Sequence, residues 1–347
     1  MPRFSFPPEW SPHQATWIAW PHHEPDWPGK LGPIPWVYAE IVRVLAQHER
    51  VEILCHDESV RAACEQHLRA HGAASNVRTH LVANDRVWLR DSAPTFVHDD
   101  AGRVHLANWE FNAWAKYPNF ARDAEVGRAI ERITGLPRLE PTRPDTGARL
   151  VLEGGGIETD GEGTLLVTEE WLLSDEQVRN PGLDRTGYER AFRDHLGIRE
   201  TIWLGEGCVG DDTHGHVDDI ARFVAPGVVV LAYEDDPADD ENHRRSVDNM
   251  RRLELAGAAR GVLKVVKIPY PRAVVMNGER LPASYANFYI ANGVVLVPTF
   301  NDRNDRVALN AIAEMMPNRH VVGIHAVDLV WGFGTLHCLT QQQPAPR

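Results

Sequence analysis

The chain is short of several things that would have decided its class at once. Its 347 residues carry four cysteines, Cys55, Cys64, Cys208 and Cys338. They show neither metal-finger pairing nor a disulfide framework, which points to reduced thiols and a cytoplasmic protein. Lysine is scarce, with only Lys30, Lys116, Lys264 and Lys267. Lys and Arg total 36 against 49 Asp and Glu, a net charge of −13. A nucleic-acid partner needs a basic footprint that this chain lacks, and the same balance excludes docking on an anionic membrane. No apolar run approaches the ~20 residues that span a bilayer. The start, Met1-Pro2-Arg3-Phe4, has no apolar core region of a signal peptide. No low-complexity linker divides the chain, so one domain over 1–347 is expected.

What is present is ordinary in bulk, 43% hydrophobic and 24% charged, close to globular averages. The first 36 residues are rich in Pro and Trp and read as an irregular wrapping segment. Beyond them, strand-like and helix-like runs alternate. Strands are expected at 51–55, 77–82, 104–109, 150–152, 164–168, 201–204, 221–224, 228–233, 262–268, 288–290, 294–297 and 320–324. Asp160-Gly161 and Asn292-Gly293 are hairpin-type turns. Helical stripes run over 38–45, 58–71, 126–133, 189–195, 247–253 and 307–315. Strand pairs and single helices thus recur every 50 to 60 residues, an α/β architecture built from repeats of structure rather than of sequence. The polar tail 341–347 is expected to fray.

Polar residues gather where strand candidates give way to loops, the usual seat of function. The clusters are Asp85-Arg86-Val87-Trp88-Leu89-Arg90-Asp91, Glu153-Gly154-Gly155-Gly156, the run from Gly210 to Asp219, and Gly334-Thr335-Leu336-His337-Cys338. Taken singly, Arg90-Asp91 reads as a surface ion pair and Cys338 as a small buried hydrophobe. The triple glycine is no phosphate loop, since no Lys-Ser/Thr follows it. The histidine loop admits two chemistries. His214, His216 and Asp218 could hold zinc in a metal-dependent hydrolase, with His337 as a further ligand. Alternatively Cys338 is a nucleophile, His216 its proton shuttle, and Asp91, Glu153 and Asp218 an anionic binding set. The surplus of carboxylates favours the second, because a planar guanidinium offers a fork of N–H donors that paired carboxylates match.

Across its whole length the chain resembles the agmatine deiminase family, a branch of the guanidino-group-modifying pentein enzymes. The carrying residues are Trp10-Ser11-Pro12-His13, Trp20-Pro21-His22, Trp88-Leu89-Arg90-Asp91, Leu152-Glu153-Gly154-Gly155, Gly210-Asp211-Asp212-Thr213 running into Gly215-His216-Val217-Asp218, Ser284-Tyr285 with Asn287-Phe288-Tyr289, and His337-Cys338 through Thr340-Gln341-Gln342-Gln343-Pro344. The resemblance implies a pentein α/β-propeller of five ββαβ-type units with pseudo-fivefold symmetry. It implies hydrolytic deimination of a small guanidino compound, agmatine to N-carbamoylputrescine and ammonia, with no metal and no other cofactor. Cys338 matches the nucleophile and His216 the general acid/base. Asp91 and Asp218 match the guanidinium-holding carboxylates, and Glu153 the acid partnering histidine and substrate. Trp88, Asp85 and Asp212 are placed at the substrate channel. His214, Phe333, Thr335-Leu336 and Ala93 depart from the family pattern, which bears on substrate fit. Another alkylguanidine, a guanidino acid or peptidyl-arginine are alternative substrates. An inactive cation-binding pentein, and a homo-oligomer built through the Trp-rich N-terminus, stay compatible with the sequence.

Overall fold

The computed structural model describes residues 3–73, 75–261 and 263–347. Its strands form five sheets of three or four strands and a separate two-stranded ribbon. The five sheets share one pattern, an antiparallel pair extended by a parallel strand. Thr95–Asp99, Val104–Ala107 and Arg138–Leu139 follow it. So do Glu158–Thr159, Thr164–Thr168 and Glu200–Leu204, then Ala221–Ala225, Val228–Ala232 and Lys264–Ile268, and Tyr289–Ala291, Val294–Thr299 and His320–His325. The fifth sheet joins the chain ends: Gln341–Pro344 lies antiparallel to His13–Ala19, which runs parallel to Arg50–Cys55.

A parallel pairing needs a crossover, and a helix supplies it in each case: Ile34–Leu45, Val126–Thr134, Arg185–Leu196, Asp240–Arg260 and Asp305–Met315. Asp57 caps the further helix Glu58–Ala70 by accepting the Val60 N–H at 2.9 Å, as an N-cap carboxylate should. The central strands are buried almost throughout, with Val228–Ala232 and Val294–Thr299 nearly continuous apolar runs, as expected of strands covered on both faces.

Three expectations need correction. Residues 1–36 are not merely a wrapping segment: Phe4–Ser5 pairs with Thr95–Asp99, and His13–Ala19 is an inner strand of its sheet. The tail does not fray at 341–344. Gln341, Gln342 and Gln343 are buried in a strand paired with His13–Ala19, and long-range partners hold two of their amides: Gln342 accepts from Arg90 Nη1 at 2.7 Å and Gln343 from Trp17 Nε1 at 2.9 Å. The strand before Asp160-Gly161 is Glu158–Thr159, not 150–152, which makes only a bridge from Val151 to Glu110. In the expected strand 262–268, Val262 lies outside the described residues and the strand runs Lys264–Ile268. No helix among the described residues is long and apolar enough to cross a membrane.

Candidate active site

In each of the five sheets, one strand of the antiparallel pair begins just after a short stretch of chain that carries a polar site residue. Asp91 lies in the one-turn helix Leu89–Ser92 before Thr95–Asp99. Glu153 precedes the turn Gly154–Gly156 and the strand Glu158–Thr159. His216 and Asp218 sit at the turn Val217–Asp219 before Ala221–Ala225. Asn287 precedes Tyr289–Ala291, and Cys338 lies in the one-turn helix Leu336–Leu339 before Gln341–Pro344. Residues far apart in the chain therefore converge.

Cys338 is buried, with Sγ accepting from Asn287 Nδ2 at 3.1 Å and facing Asp218 Oδ2 at 3.7 Å. Asn287 builds this turn. Its Oδ1 accepts Thr335 Oγ1–H at 2.7 Å and the His337 N–H at 3.0 Å, and its Nδ2 also donates to Asp219 Oδ1 at 3.0 Å. His216 Nδ1 is 3.8 Å from Asp91 Oδ1, and its Nε2 is 3.6 Å from Glu153 Oε2. Both ring nitrogens are buried without a hydrogen-bond partner among the described residues. Glu153 is fixed by Trp171 Nε1 at 2.7 Å and Arg179 Nε at 3.1 Å. Asp91 accepts from the Gly155 N–H at 2.9 Å and from Trp114 Nε1 at 2.8 Å.

Electrostatics divides these groups by role. Burial pushes the Cys338 thiol well above its ordinary range, and Asp218, Asp219 and Asp91 push the same way. Burial opposes charge on His216, but Asp91 and Glu153 outweigh it and raise the imidazole to about 9. Burial lifts Asp91 to about 6, with His216 resisting and Asp218 and Glu153 reinforcing. Glu153 is lowered to about 2, because Arg179 and His216 overcome its burial. Burial and the carboxylates thus favour the neutral thiol at Cys338 and the protonated imidazole at His216.

A cavity of about 450 Å³ opens onto this cluster. Its lining includes Cys338 and Asp91, with aromatic walls from Trp88, Trp114 and Phe333. Asp26 and Asp212 also border it. Asp212 accepts from Tyr117 Oη at 2.6 Å and pairs with Lys116. His216, Glu153 and Asp218 adjoin Asp91 and Cys338 rather than the lining itself.

The structure brings together Cys338, His216, Glu153, Asp91 and Asp218, and it sets Trp88 and Asp212 on the cavity. Asp85 does not belong there. Its carboxylate accepts the Arg122 N–H at 2.9 Å, a loop-fixing role outside the lining. Arg90 is no surface partner of Asp91: it is buried and donates to Gln342, Glu9 and the His337 carbonyl. The zinc set also fails. His214 turns to Ser174 Oγ at 2.8 Å and Glu176 at 4.0 Å. Among the described residues, three ligand atoms converge only at Asp218, Asp219 and Cys338, where one hydrogen bond from Asn287 ties Asp219 and another ties Cys338. His214 and Phe333, two departures from the family pattern, both stand at left-handed backbone, with φ of 64° and 65°, where most side chains cost energy. Sequence reasoning gave no role to Asn287, Trp114 or Arg179. Only Asn287 carried a signal, its place in a family motif.

Comparison with known proteins agrees with this geometry. The model of the Porphyromonas-type peptidyl-arginine deiminase family matches residues 5–344. The agmatine deiminase of Stutzerimonas stutzeri is 38% identical over 99% of this chain and 96% of its own length. That of Pseudomonas aeruginosa is 37% identical with the same coverage. Among solved structures, the agmatine deiminase of Enterococcus faecalis superposes with a TM-score of 0.88 at 30% identity, covering 98% of this chain and 96% of that one. A C. jejuni agmatine deiminase with substrate bound gives a TM-score of 0.88 at 25% identity, covering 99% and 97%.

Proposed function

Because the chain belongs to the Porphyromonas-type peptidyl-arginine deiminase family, whose similar members include agmatine deiminases, we propose that it hydrolyses agmatine to N-carbamoylputrescine and ammonia. The observation that carries this reading is one buried thiol and one buried histidine enclosed by Asp91, Glu153 and Asp218 at an aromatic-walled cavity. A neutral or anionic substrate would find no partner in that set. A guanidinium would find carboxylates on either side of the sulfur, which fix its plane and aim its carbon. The ammonium end of agmatine is assigned to the acidic border at Asp212.

In this mechanism the Cys338 thiol releases its proton to solvent as the substrate's charge enters, and the thiolate sulfur bonds to the guanidinium carbon while His216 keeps its own proton. His216 gives its proton to the departing nitrogen, the C–N bond breaks and ammonia leaves. The thiouronium-type adduct on Cys338 is then attacked by water, from which His216 takes a proton. Collapse breaks the C–S bond and frees the ureido product and the thiolate. The adduct splits one hard displacement into two easier ones. We read the five repeated units as set about a pseudo-fivefold axis in one catalytic domain. The cytoplasm suits the four free cysteines of the described chain.

The test is direct: purified protein is given agmatine and, in parallel, free arginine, a guanidino acid and an arginyl peptide, and ammonia and ureido product are measured across pH. Product from agmatine is expected. Asp91 must be ionised to hold the cation, so kcat/KM should rise with pH through about 6. His216 must hold a proton to donate, so kcat/KM should fall as pH passes about 9. The two limbs belong to the coupled cluster rather than to isolated groups. Product only from another guanidine would keep the mechanism and change the substrate. Silence with all four would end the deiminase reading.

A further inference from the structure

Beneath the site lies a buried ionic chain that the reaction above does not use. His337 Nδ1 is 2.7 Å from Asp218 Oδ2, and His337 Nε2 is 2.8 Å from Glu9 Oε2. Glu9 arrives from the N-terminal segment and is held by Arg222 Nη2 at 2.8 Å, Arg90 Nη2 at 3.1 Å and the Ile290 N–H at 2.8 Å. Arg222 is tied in turn to Glu158 at 2.8 Å. All of these side chains are buried. The neighbouring acids do the opposite job: Asp91 has both oxygens occupied by N–H donors, whereas Asp218 Oδ1 is buried with no partner among the described residues. An orphaned buried carboxylate oxygen is costly unless something comes to fill it.

We propose that His337 is a positioning residue for Asp218: lying between Glu9 and Asp218, it grips Oδ2 so that Oδ1 stays presented to the substrate's N–H donors. This rests on the deimination reading. Both ring nitrogens face carboxylate oxygens at hydrogen-bond distance, and the Nδ1 contact is the strut that fixes Asp218. Without the strut Asp218 could swing toward other donors, and Cys338, its near neighbour at 3.7 Å, would lose the carboxylate that aligns the guanidinium over it. A rigid supporting shell of this kind is what holds a reacting group to productive geometry.

The experiment compares His337→Ala with His337→Asn. The Asn amide nitrogen overlies the Nδ1 position and keeps the bond to Asp218, while giving up the reach to Glu9. For His337→Ala, KM for agmatine should rise at least ~10-fold, the order expected when a support of a ligand is lost, with kcat falling less. His337→Asn should return KM to within about threefold of wild type, because the donor to Asp218 is restored. Equal KM in all three proteins, with only thermal stability changed, would reduce His337 to packing and overturn the proposal. If the Ala protein does not fold, the Asn protein still decides: KM raised tenfold there overturns it as well. A crystal structure of the folded variant reads Asp218 directly, whether or not any guanidine is turned over. Asp218 unmoved in His337→Ala would sink the strut even if the deimination reading stood. Asp218 displaced in a wild-type-inactive enzyme would keep the strut and sink the reading.

Discussion

Cys338→Ala is expected to abolish agmatine turnover while leaving agmatine binding in place. Removing the nucleophile of an enzyme that works through a covalent adduct typically costs on the order of 10⁶ in kcat, roughly 8 kcal/mol of barrier. Nothing nearby can substitute for it. Asp91, Asp218 and Glu153 are carboxylates already engaged by N–H donors, and His216 is raised to about 9, so none of them offers a free nucleophile. Binding should survive because the carboxylates that grip the cation stay put. Asn287 Nδ2 loses the sulfur but keeps Asp219, so the turn should hold its shape. The same change removes a buried thiol that three aspartates disfavour as thiolate, so affinity for the cation should not fall. Steady-state product formation and calorimetric titration with agmatine check both halves. Turnover within tenfold of wild type would remove Cys338 as nucleophile, and retained turnover with lost binding would make it a substrate contact instead.

That expectation rests on Cys338, a residue the sequence marks only in company. A lone cysteine says little, and its significance came from His216 and three acids recurring in the order of a known family. The strand and helix rhythm was equally legible, because apolar strands such as Val228–Ala232 and turns such as Asn292-Gly293 obey local rules. What stayed hidden depends on distant partners. Gln342 and Gln343 look like part of a frayed polar end because nothing local shows that Arg90 and Trp17 wait to pair them. Glu9 looks like one acid in a Pro-rich start, yet it is buried and clamped by Arg90, Arg222 and His337. Asp85 misleads for the mirror-image reason: it shares a motif with Asp91 but spends its carboxylate on the Arg122 backbone. His214 sits one residue from the glycine before His216, but the loop turns its ring outward to Ser174. Local pattern reports which residue types are available, and only the fold decides which of them meet.

Gly155→Ala carries the second large effect, through three atoms at once. A carbon added there would lie 2.6 Å from His216 Nδ1, 2.9 Å from Asp91 Oδ1 and 3.1 Å from Asp218 Oδ2. Its backbone φ is outside the left-handed region, so alanine is conformationally acceptable and the penalty is purely one of space. Two of the three neighbours are not free to yield. Asp91 is pinned by Trp114 and by the Gly155 N–H itself, and Asp218 by His337. The added methyl must therefore press on His216, Asp91 and Asp218 together, the groups to which the proposed mechanism gives the acid/base and guanidinium-holding roles. Displacements near 1 Å at a reacting centre cost on the order of 10²-fold, and kcat/KM for agmatine should fall by at least that order. Overpacking of this kind also costs about 1–3 kcal/mol of stability, so the loss must be measured per folded molecule, with circular dichroism and a thermal unfolding curve beside the kinetics. Gly32→Ala serves as the control, since its added carbon meets nothing within 4 Å and should change neither quantity. If Gly155→Ala kept kcat/KM within threefold of wild type while folded, the three groups could not be held as tightly as their distances state. The positioning of Asp91, Asp218 and His216 around one glycine would then be incidental to the chemistry. A loss confined to catalysis, with folding intact, would show that the smallest side chain in the site is there to let the three largest charges converge.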